Sequence, residues 1–278
     1  MPAPHKPSGD PENIGNSIDD TGWVDGTLTA AVGSFPTLTN VTAESDNTVP
    51  NMYTLQMNTN LFTTARCQQA PGGGPYCKGW EQFFYSSEVY QGVAIQSWLL
   101  NYGPHCPANW TGSGTSDCYT TTNATPVSGS PISITNLGSL QLSGKAVQNG
   151  VDTVTLSVGN TLYSNSTTDA TLYLAGAWNQ VEFNIFGDAN RSQASFNSGA
   201  TIGAQIAFVG TSFAAPRCGN GNDGTTGETN NLSLVQGSCC PGRVGSVPIL
   251  SFLESYAAGA KASFCLLNDI TSIVAPLL

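Results

Sequence analysis

The chain has 278 residues, of which 40% are hydrophobic and 9% are charged, and its formal net charge is -10. Nucleic acids and anionic membranes attract basic surfaces, so this charge balance argues against both as partners. The two histidines, His5 and His105, are too few for most hydrolase mechanisms that need a histidine base, and no His-Glu-x-x-His zinc motif is present.

The distribution of residue types along the chain favours β-structure. Residues 1–20 lack a hydrophobic period, and we expect them to be a flexible lead-in to a single domain at residues 21–278. Short runs rich in β-branched and aromatic residues follow, separated by turn residues, and they predict an all-β antiparallel β-sandwich or jelly roll with disulfide-stapled loops. A helix is expected only at 257–267. The predicted strands are residues 27–35, 52–58, 80–85, 93–102, 139–146, 153–158, 170–174, 180–186, 204–209 and 249–255.

The eight cysteines indicate disulfide bonds and an oxidising compartment, so we expect a secreted, extracellular protein. Zinc binding is the alternative use of cysteine, but the chain has no Cys-x-x-Cys pair. The favoured disulfides are Cys67 with Cys77, Cys106 with Cys118, and Cys218 with either Cys239 or Cys240.

The strand predicted at 180–186 carries a glutamate in a polar row. Val181, Phe183 and Ile185 alternate with polar residues, and side chains two apart in a strand share a face. Glu182 therefore lies on the face opposite the apolar row. We expect this carboxylate to be presented at the surface rather than buried.

The strand predicted at 80–85 offers two adjacent candidates for a partner of Glu182. Glu81 shares a face with Phe83 and Tyr85, whereas Gln82 lies on the other face with Trp80. Only one of Glu81 and Gln82 can face a given cleft.

The next predicted strand offers a wall for such a cleft. Gln96, Trp98 and Tyr102 are spaced to lie on one side of it, and aromatic side chains suit an apolar subsite. Together with Trp80, they are the predicted substrate-binding residues.

Several short motifs in a common order resemble the glutamic peptidases of the eqolisin type, which are acid-active, secreted β-sandwich endopeptidases. Residues 32–36 are similar to an early strand ending in Phe-x-Val-Pro, and Glu81-Gln82 is similar to the Glu/Leu-Gln element of that family. Residues 96–104 resemble its Ala-Trp-Tyr-Glu-x-Tyr-Pro strand. Val181-Glu182 and the later residues 194–197 resemble its Ala-Glu-Trp-Ile and Ala-Asp-Phe-Gly elements.

The resemblance implies a mechanism. Glu182 would act as the general base on a water molecule that attacks a peptide carbonyl, and Gln82 would orient that water and donate its amide hydrogens to the oxyanion. It also implies a polypeptide substrate, a monomer, and no cofactor or metal. The related neprosin-like group uses two glutamates, so the first catalytic residue stays open between Gln82 and Glu81.

Two other functions remain open. A glycoside hydrolase on a similar fold would use two carboxylates, such as Glu182 with Glu81 or Glu88. A non-enzymatic carbohydrate-binding or adhesive β-sandwich needs no catalytic pair. The test between them is whether Glu182 faces Gln82 within reach of a shared water.

Overall fold

A computed structural model describes residues 13–14, 17–18, 21–71, 76–212, 214–219, 226–242 and 246–256. Most of the predicted lead-in at 1–20 and the helix expected at 257–267 lie outside the described residues. The division into a lead-in and one domain therefore stays a prediction.

The described residues form β-strands joined by loops and short 3₁₀ turns. The strands are β1 (Asn13–Ile14), β2 (Ser17–Ile18), β3 (Thr21–Trp23), β4 (Leu28–Thr39), β5 (Glu44–Asp46), β6 (Val49–Pro50), β7 (Tyr53–Thr59), β8 (Lys78–Ser86), β9 (Gly92–Leu100), β10 (Thr111–Ser113), β11 (Asp117–Thr121), β12 (Thr125–Pro126), β13 (Leu140–Ala146), β14 (Val151–Val158), β15 (Thr161–Thr168), β16 (Gln180–Gly187), β17 (Gln193–Phe196), β18 (Thr201–Gly210), β19 (Arg217–Gly219), β20 (Thr229–Asn230), β21 (Ser233–Cys240) and β22 (Ile249–Ser255). The 3₁₀ turns are Ala65–Gln69, Ile134–Ser139, Asp169–Thr171 and Leu174–Gly176.

Two large antiparallel sheets dominate the fold. The first sheet has the order β10-β11-β9-β8-β7-β16-β3-β19, with β12 beside β9, and the second sheet has the order β15-β14-β13-β4-β18-β22-β21. A smaller sheet, β20-β17-β5-β6, contains a parallel pair between β17 and β20. This arrangement confirms the predicted all-β antiparallel sandwich.

The two large sheets pack closely because glycines on the second sheet receive phenylalanines from the first. A Cβ atom on Gly33 of β4 would lie 2.3 Å from the ring of Phe183, and one on Gly144 of β13 would lie 2.5 Å from that of Phe83. Phe83 and Phe183 thus point into the core between the sheets. Their neighbours along β8 and β16 alternate onto the other face of the first sheet.

Most predicted strands match observed ones, but one is wrong and several were missed, among them β15 and β21. Residues 170–174 form parts of two 3₁₀ turns, with Tyr173 in the left-handed region at φ 60°. Leu172 and Leu174 are both buried, so their spacing imitates a strand. Strand β15 was missed because its composition is polar. It is an edge strand that alternates between exposed and half-buried residues while pairing with β14 along its whole length.

The three disulfides among the described residues confirm the favoured pairs and decide the open one. Cys67 joins Cys77, Cys106 joins Cys118, and Cys218 joins Cys239. None of the helices in the described part of the chain has the length and apolarity that a bilayer crossing requires.

A cluster of carboxyl groups is buried beside β5. Glu44 is only 3% exposed. Burial, reinforced by the nearby Asp46 and Asp188, raises the pKa of Glu44 to about 9. Burial also raises the pKa of Asp188 to about 6, against hydrogen bonds from the backbone N–H groups of Glu88 and Val89. The fold therefore holds Glu44 in its neutral, protonated form at pH 7.

We predict that Gly33→Ala destabilises the fold by about 1 to 3 kcal/mol, because the new methyl group must displace the Phe183 ring. Urea unfolding measures the loss. Gly176→Ala is the matched control, since nothing lies within 4 Å of its added Cβ. Equal stability of the two variants would contradict this packing.

We predict that the protein is more stable at pH 4 than at pH 7. Glu44 ionises near pH ~4.3 in the unfolded state, whereas its pKa in the folded state is about 9. The contribution of Glu44 to the free energy of unfolding is therefore fully present below pH ~4.3 and is lost as pH rises towards about 9. At pH 7 the loss from Glu44 alone is on the order of 3 kcal/mol.

The variant Glu44→Gln should raise the thermal midpoint at pH 7 and leave it nearly unchanged at pH 4, because an amide has no proton to lose. Asp25→Asn is the control, since the Asp25 side chain is 81% exposed. Parallel pH profiles for the wild type and Glu44→Gln would contradict the prediction.

Candidate active site

Strand β16 places Glu182 on the face of the first sheet that points away from the core. The predicted alternation is confirmed, because Val181, Phe183 and Ile185 all belong to the main core. The expected exposure is wrong, since Glu182 is only 1% exposed. The reason lies in the neighbouring loop, where the backbone N–H of Thr226 donates to Glu182 Oε2 at 3.1 Å.

Strand register lines up polar side chains across five neighbouring strands. Directly opposed residues share a face of a sheet, so this register brings together side chains from distant parts of the chain. We call the set the polar row, and its members are Glu182, Asn58, Gln82, Gln96 and Thr121, from β16, β7, β8, β9 and β11 in turn. All except Thr121 are at most 1% exposed.

Hydrogen bonds connect the two predicted catalytic side chains through Asn58. Asn58 Nδ2 donates to Glu182 Oε2, and Gln82 Nε2 donates to Asn58 Oδ1 at 2.8 Å. Gln82 Nε2 also donates to Gln56 Oε1 at 2.7 Å. Gln82 and Glu182 therefore belong to one network.

The carboxylate of Glu182 determines which way each amide in this network points. An ionised carboxylate only accepts hydrogen bonds, so Asn58 must turn its Nδ2 towards Glu182 and its Oδ1 towards Gln82. Gln82 must then offer Nε2 to Asn58. Both hydrogens of Nε2 are used, and Gln82 Oε1 is a buried acceptor that finds no partner. In this arrangement neither hydrogen of Gln82 Nε2 is available to an oxyanion, whereas Gln82 Oε1 is available to a water molecule.

Three aromatic side chains lie beside the polar row on the same face. Trp98 stacks on Tyr119 with ring centroids 4.8 Å apart, and Trp80 lies 6.5 Å from Trp98. Trp98 Nε1 donates to Gln96 Oε1 at 2.7 Å. Trp80 and Trp98 thus occupy the position predicted for an apolar wall, although both are buried.

Tyr102 does not join this wall, and its predicted place is wrong. Strand β9 ends at Leu100, and Asn101 adopts a left-handed conformation with φ 54°, which breaks the alternation. The Tyr102 ring packs in the main core, and its hydroxyl donates to the Gln69 carbonyl.

Glu81 points into the core between the sheets, on the opposite face of β8 from Gln82. It is fully buried, and Ser97 Oγ donates to its Oε2 at 3.2 Å. Burial, together with Asp152 and Asp169, raises the pKa of Glu81 well above its usual range. Burial and the nearby Asp169 also raise the pKa of Asp152 to about 7. A sheet thus separates Glu81 from Glu182, so the two do not face a common substrate.

Glu88 does not lie beside Glu182 in the polar row either. It is half-buried and follows the end of β8, outside the polar row. Within the described ranges, no group of three or more His, Cys, Asp or Glu side chains has an arrangement suited to hold a metal ion.

Sequence reasoning missed Asn58, Tyr119 and Thr226. Asn58 had a usable signal, because polar residues alternate with Leu55 and Met57 along β7. Tyr119 and Thr226 had none, since Tyr119 lies in a short polar strand, Thr226 lies between strands, and their contacts are made across the fold.

We predict that Asn58→Leu lowers the free energy of unfolding by about 2 to 4 kcal/mol, because it leaves Gln82 and Glu182 each short of a buried hydrogen-bond partner. Chemical denaturation measures the change. Asn190→Leu, at an exposed position, is the control. A near-neutral effect of Asn58→Leu would show that the network contributes little to stability.

Comparison with known proteins finds similarity only at the level of solved structures. No family model matches the chain, and no curated protein matches it. The chain is similar to SCP-B, a member of the eqolisin family of peptidases solved with the tripeptide Ala-Ile-His, at 12% identity over 84% of this chain and 97% of that one, with a TM-score of 0.30. It is also similar to scytalido-glutamic peptidase bound to a peptide-based transition-state analogue, at 11% identity over 84% of this chain and 97% of that one, with a TM-score of 0.29. Similarity at this level carries no argument about individual residues.

Proposed function

We propose that the protein is a secreted, acid-active endopeptidase in which Glu182 and Gln82 activate a water molecule against a peptide bond. One observation carries the proposal: Glu182 and Gln82 lie on the same face of the first sheet and are joined through Asn58. The order of motifs that resemble the glutamic peptidases supports it. The three disulfides suit an oxidising, extracellular location.

In the proposed mechanism the attacking water lies between Glu182 and Gln82. Strands β16 and β8 flank β7, so the backbones that carry Glu182 and Gln82 are about 10 Å apart. Asn58 between them is one methylene group shorter than either side chain. We place the water over the Asn58 amide, between Glu182 and the unpaired Gln82 Oε1.

Glu182 takes a proton from the water and later gives it to the leaving nitrogen, so it ends the reaction in its starting state. The carboxylate takes one proton from the water while the water oxygen forms a bond to the peptide carbonyl carbon, and the carbonyl oxygen becomes an oxyanion. Gln82 Oε1 accepts the other hydrogen of the water and holds its orientation. When the tetrahedral intermediate collapses, the C–N bond breaks and Glu182 returns its proton to the leaving nitrogen. Amides do not titrate, so Gln82 and Asn58 keep these roles in acid.

Thr226 lies against the carboxylate of Glu182. The Thr226 N–H occupies Glu182 Oε2, and the Thr226 hydroxyl donates to Glu228, which is itself buried. Glu228 also accepts from the backbone N–H of Arg191. A water that uses Glu182 Oε2 would therefore compete with the Thr226 N–H.

The competing functions have less support in the structure. A glycoside hydrolase that pairs Glu182 with Glu81 would need both carboxylates on one face, and they lie on opposite faces. A carbohydrate-binding platform would present exposed aromatic rings, whereas Trp80 and Trp98 are at most 3% exposed. We retain the peptidase, acting as a monomer without a cofactor.

The proposal is tested by hydrolysis of a denatured protein across pH 2 to 7 in the presence of pepstatin. We expect wild-type activity in acid, and a loss of at least about 100-fold in Glu182→Gln because the general base is gone. Asp25→Asn, which alters an exposed carboxylate, serves as the control.

Glu81→Gln decides between the two candidates for the first catalytic residue. It should retain activity wherever it is folded, because Glu81 lies on the core side of the sheet. An inactive but folded Glu81→Gln would make Glu81 the catalytic partner. Folded wild-type protein without proteolysis at any pH would end the peptidase proposal.

A further inference from the structure

The indole N–H of Trp80 is an unsatisfied donor beside the polar row. Trp80 is fully buried, and among the described residues its Nε1 is the one buried side-chain donor that finds no hydrogen-bond acceptor. The other buried atoms without partners are carboxylate or amide oxygens. The face thus offers one unused donor, Trp80 Nε1, and one unused acceptor, Gln82 Oε1.

Packing explains the position of the Trp80 ring but leaves its N–H unexplained. Leaving a buried N–H without an acceptor costs about 1 to 3 kcal/mol. Two other buried tryptophans avoid this cost, because Trp98 Nε1 donates to Gln96 and Trp178 Nε1 donates to the Gln180 carbonyl. A buried donor without a partner calls for an explanation, and one explanation is an acceptor on a bound molecule.

We propose that the Trp80 indole N–H is the oxyanion donor of the reaction, a role that rests on the proposed peptidase function. Reaction of a peptide bond needs a donor aimed at the developing oxyanion. Gln82 cannot supply it, because both hydrogens of its Nε2 are held by Gln56 and Asn58. Trp80 is two residues before Gln82 on β8, so both side chains rise from the same face with Cα atoms about 7 Å apart.

The division of roles is consistent with the atoms available. Gln82 Oε1 and Glu182 hold the attacking water on one side of the carbonyl carbon. As the water oxygen bonds to that carbon and Glu182 takes the proton, the electron pair of the C=O bond moves onto oxygen, and the Trp80 N–H donates to this oxyanion. When the C–N bond breaks, the carbonyl re-forms and the hydrogen bond weakens. Trp80 neither gains nor loses a proton in the cycle.

The test is Trp80→Phe, which removes the donor and keeps an aromatic ring. We expect kcat for a peptide substrate to fall about 100- to 1000-fold, as for other oxyanion donors, while KM changes little. Trp178→Phe is the matched control: it also loses a buried indole N–H, but Trp178 packs against Phe83 in the core. It should keep the wild-type kcat at temperatures where it is folded.

A second substitution covers the case in which Trp80→Phe does not fold. Replacing Trp80 with 3-benzothienylalanine keeps the bicyclic shape and exchanges only the N–H for sulfur, so kcat should fall to the same extent. A peptide phosphinate, which mimics the tetrahedral intermediate, should shift the ¹⁵N-indole signal of Trp80 downfield, and it should bind at least 10-fold more weakly to either variant.

The outcomes separate this inference from the function on which it rests. Wild-type proteolysis that depends on Glu182 but survives loss of the Trp80 N–H would overturn the oxyanion role and leave the peptidase intact. Wild-type protein that cleaves nothing and does not bind the phosphinate would overturn both. A fall in kcat with an unchanged midpoint of unfolding, together with the indole shift, would support the proposal.

Discussion

The carboxylate of Glu182 organises the outer face of the first sheet. It is buried, and it accepts hydrogen bonds from N–H donors of Asn58 and Thr226. Because a carboxylate accepts and does not donate, it orients Asn58, and Asn58 in turn orients Gln82. The unused acceptor Gln82 Oε1 follows from that order. If Glu182 were an amide, the side-chain amides of Asn58 and Gln82 could adopt either orientation.

The core of the sandwich buries acidic groups whose pKa values are raised. Glu81 and Asp152 meet between the sheets, and Glu44 lies beside Asp46 and Asp188, in surroundings that raise the pKa of several of these groups. Desolvation favours the protonated carboxylic acid over the carboxylate at these positions. The small charged fraction of the chain is thus partly hidden in its interior. We therefore expect the fold to lose stability as pH rises and these groups ionise.

The alternation of side chains along β8 separates the acidic groups in the core from the amide network on the other face. Glu81 and Gln82 are neighbours in sequence, yet one enters a core of acids and phenylalanines while the other enters a network of amides. The separation depends on close packing of the sheets, which Gly33 and Gly144 permit by leaving room for Phe183 and Phe83. A slip of one residue in the register of β8 would exchange Glu81 with Gln82 and disrupt both faces.

The sequence by itself determined the all-β class, the central strands, two of the disulfides and the face on which Glu182 and Gln82 each lie, because these features follow from local alternation and short loops. It did not reveal strand β15, whose polar residues form a strand through pairing with β14, nor the turn that takes Tyr102 away from Trp98. Only the tertiary structure decided that Asn58 stands between Gln82 and Glu182, that Thr226 covers the carboxylate, and that Trp80 keeps an unused N–H. Those relations depend on strand order and register between residues more than twenty positions apart, which no local pattern in the chain encodes.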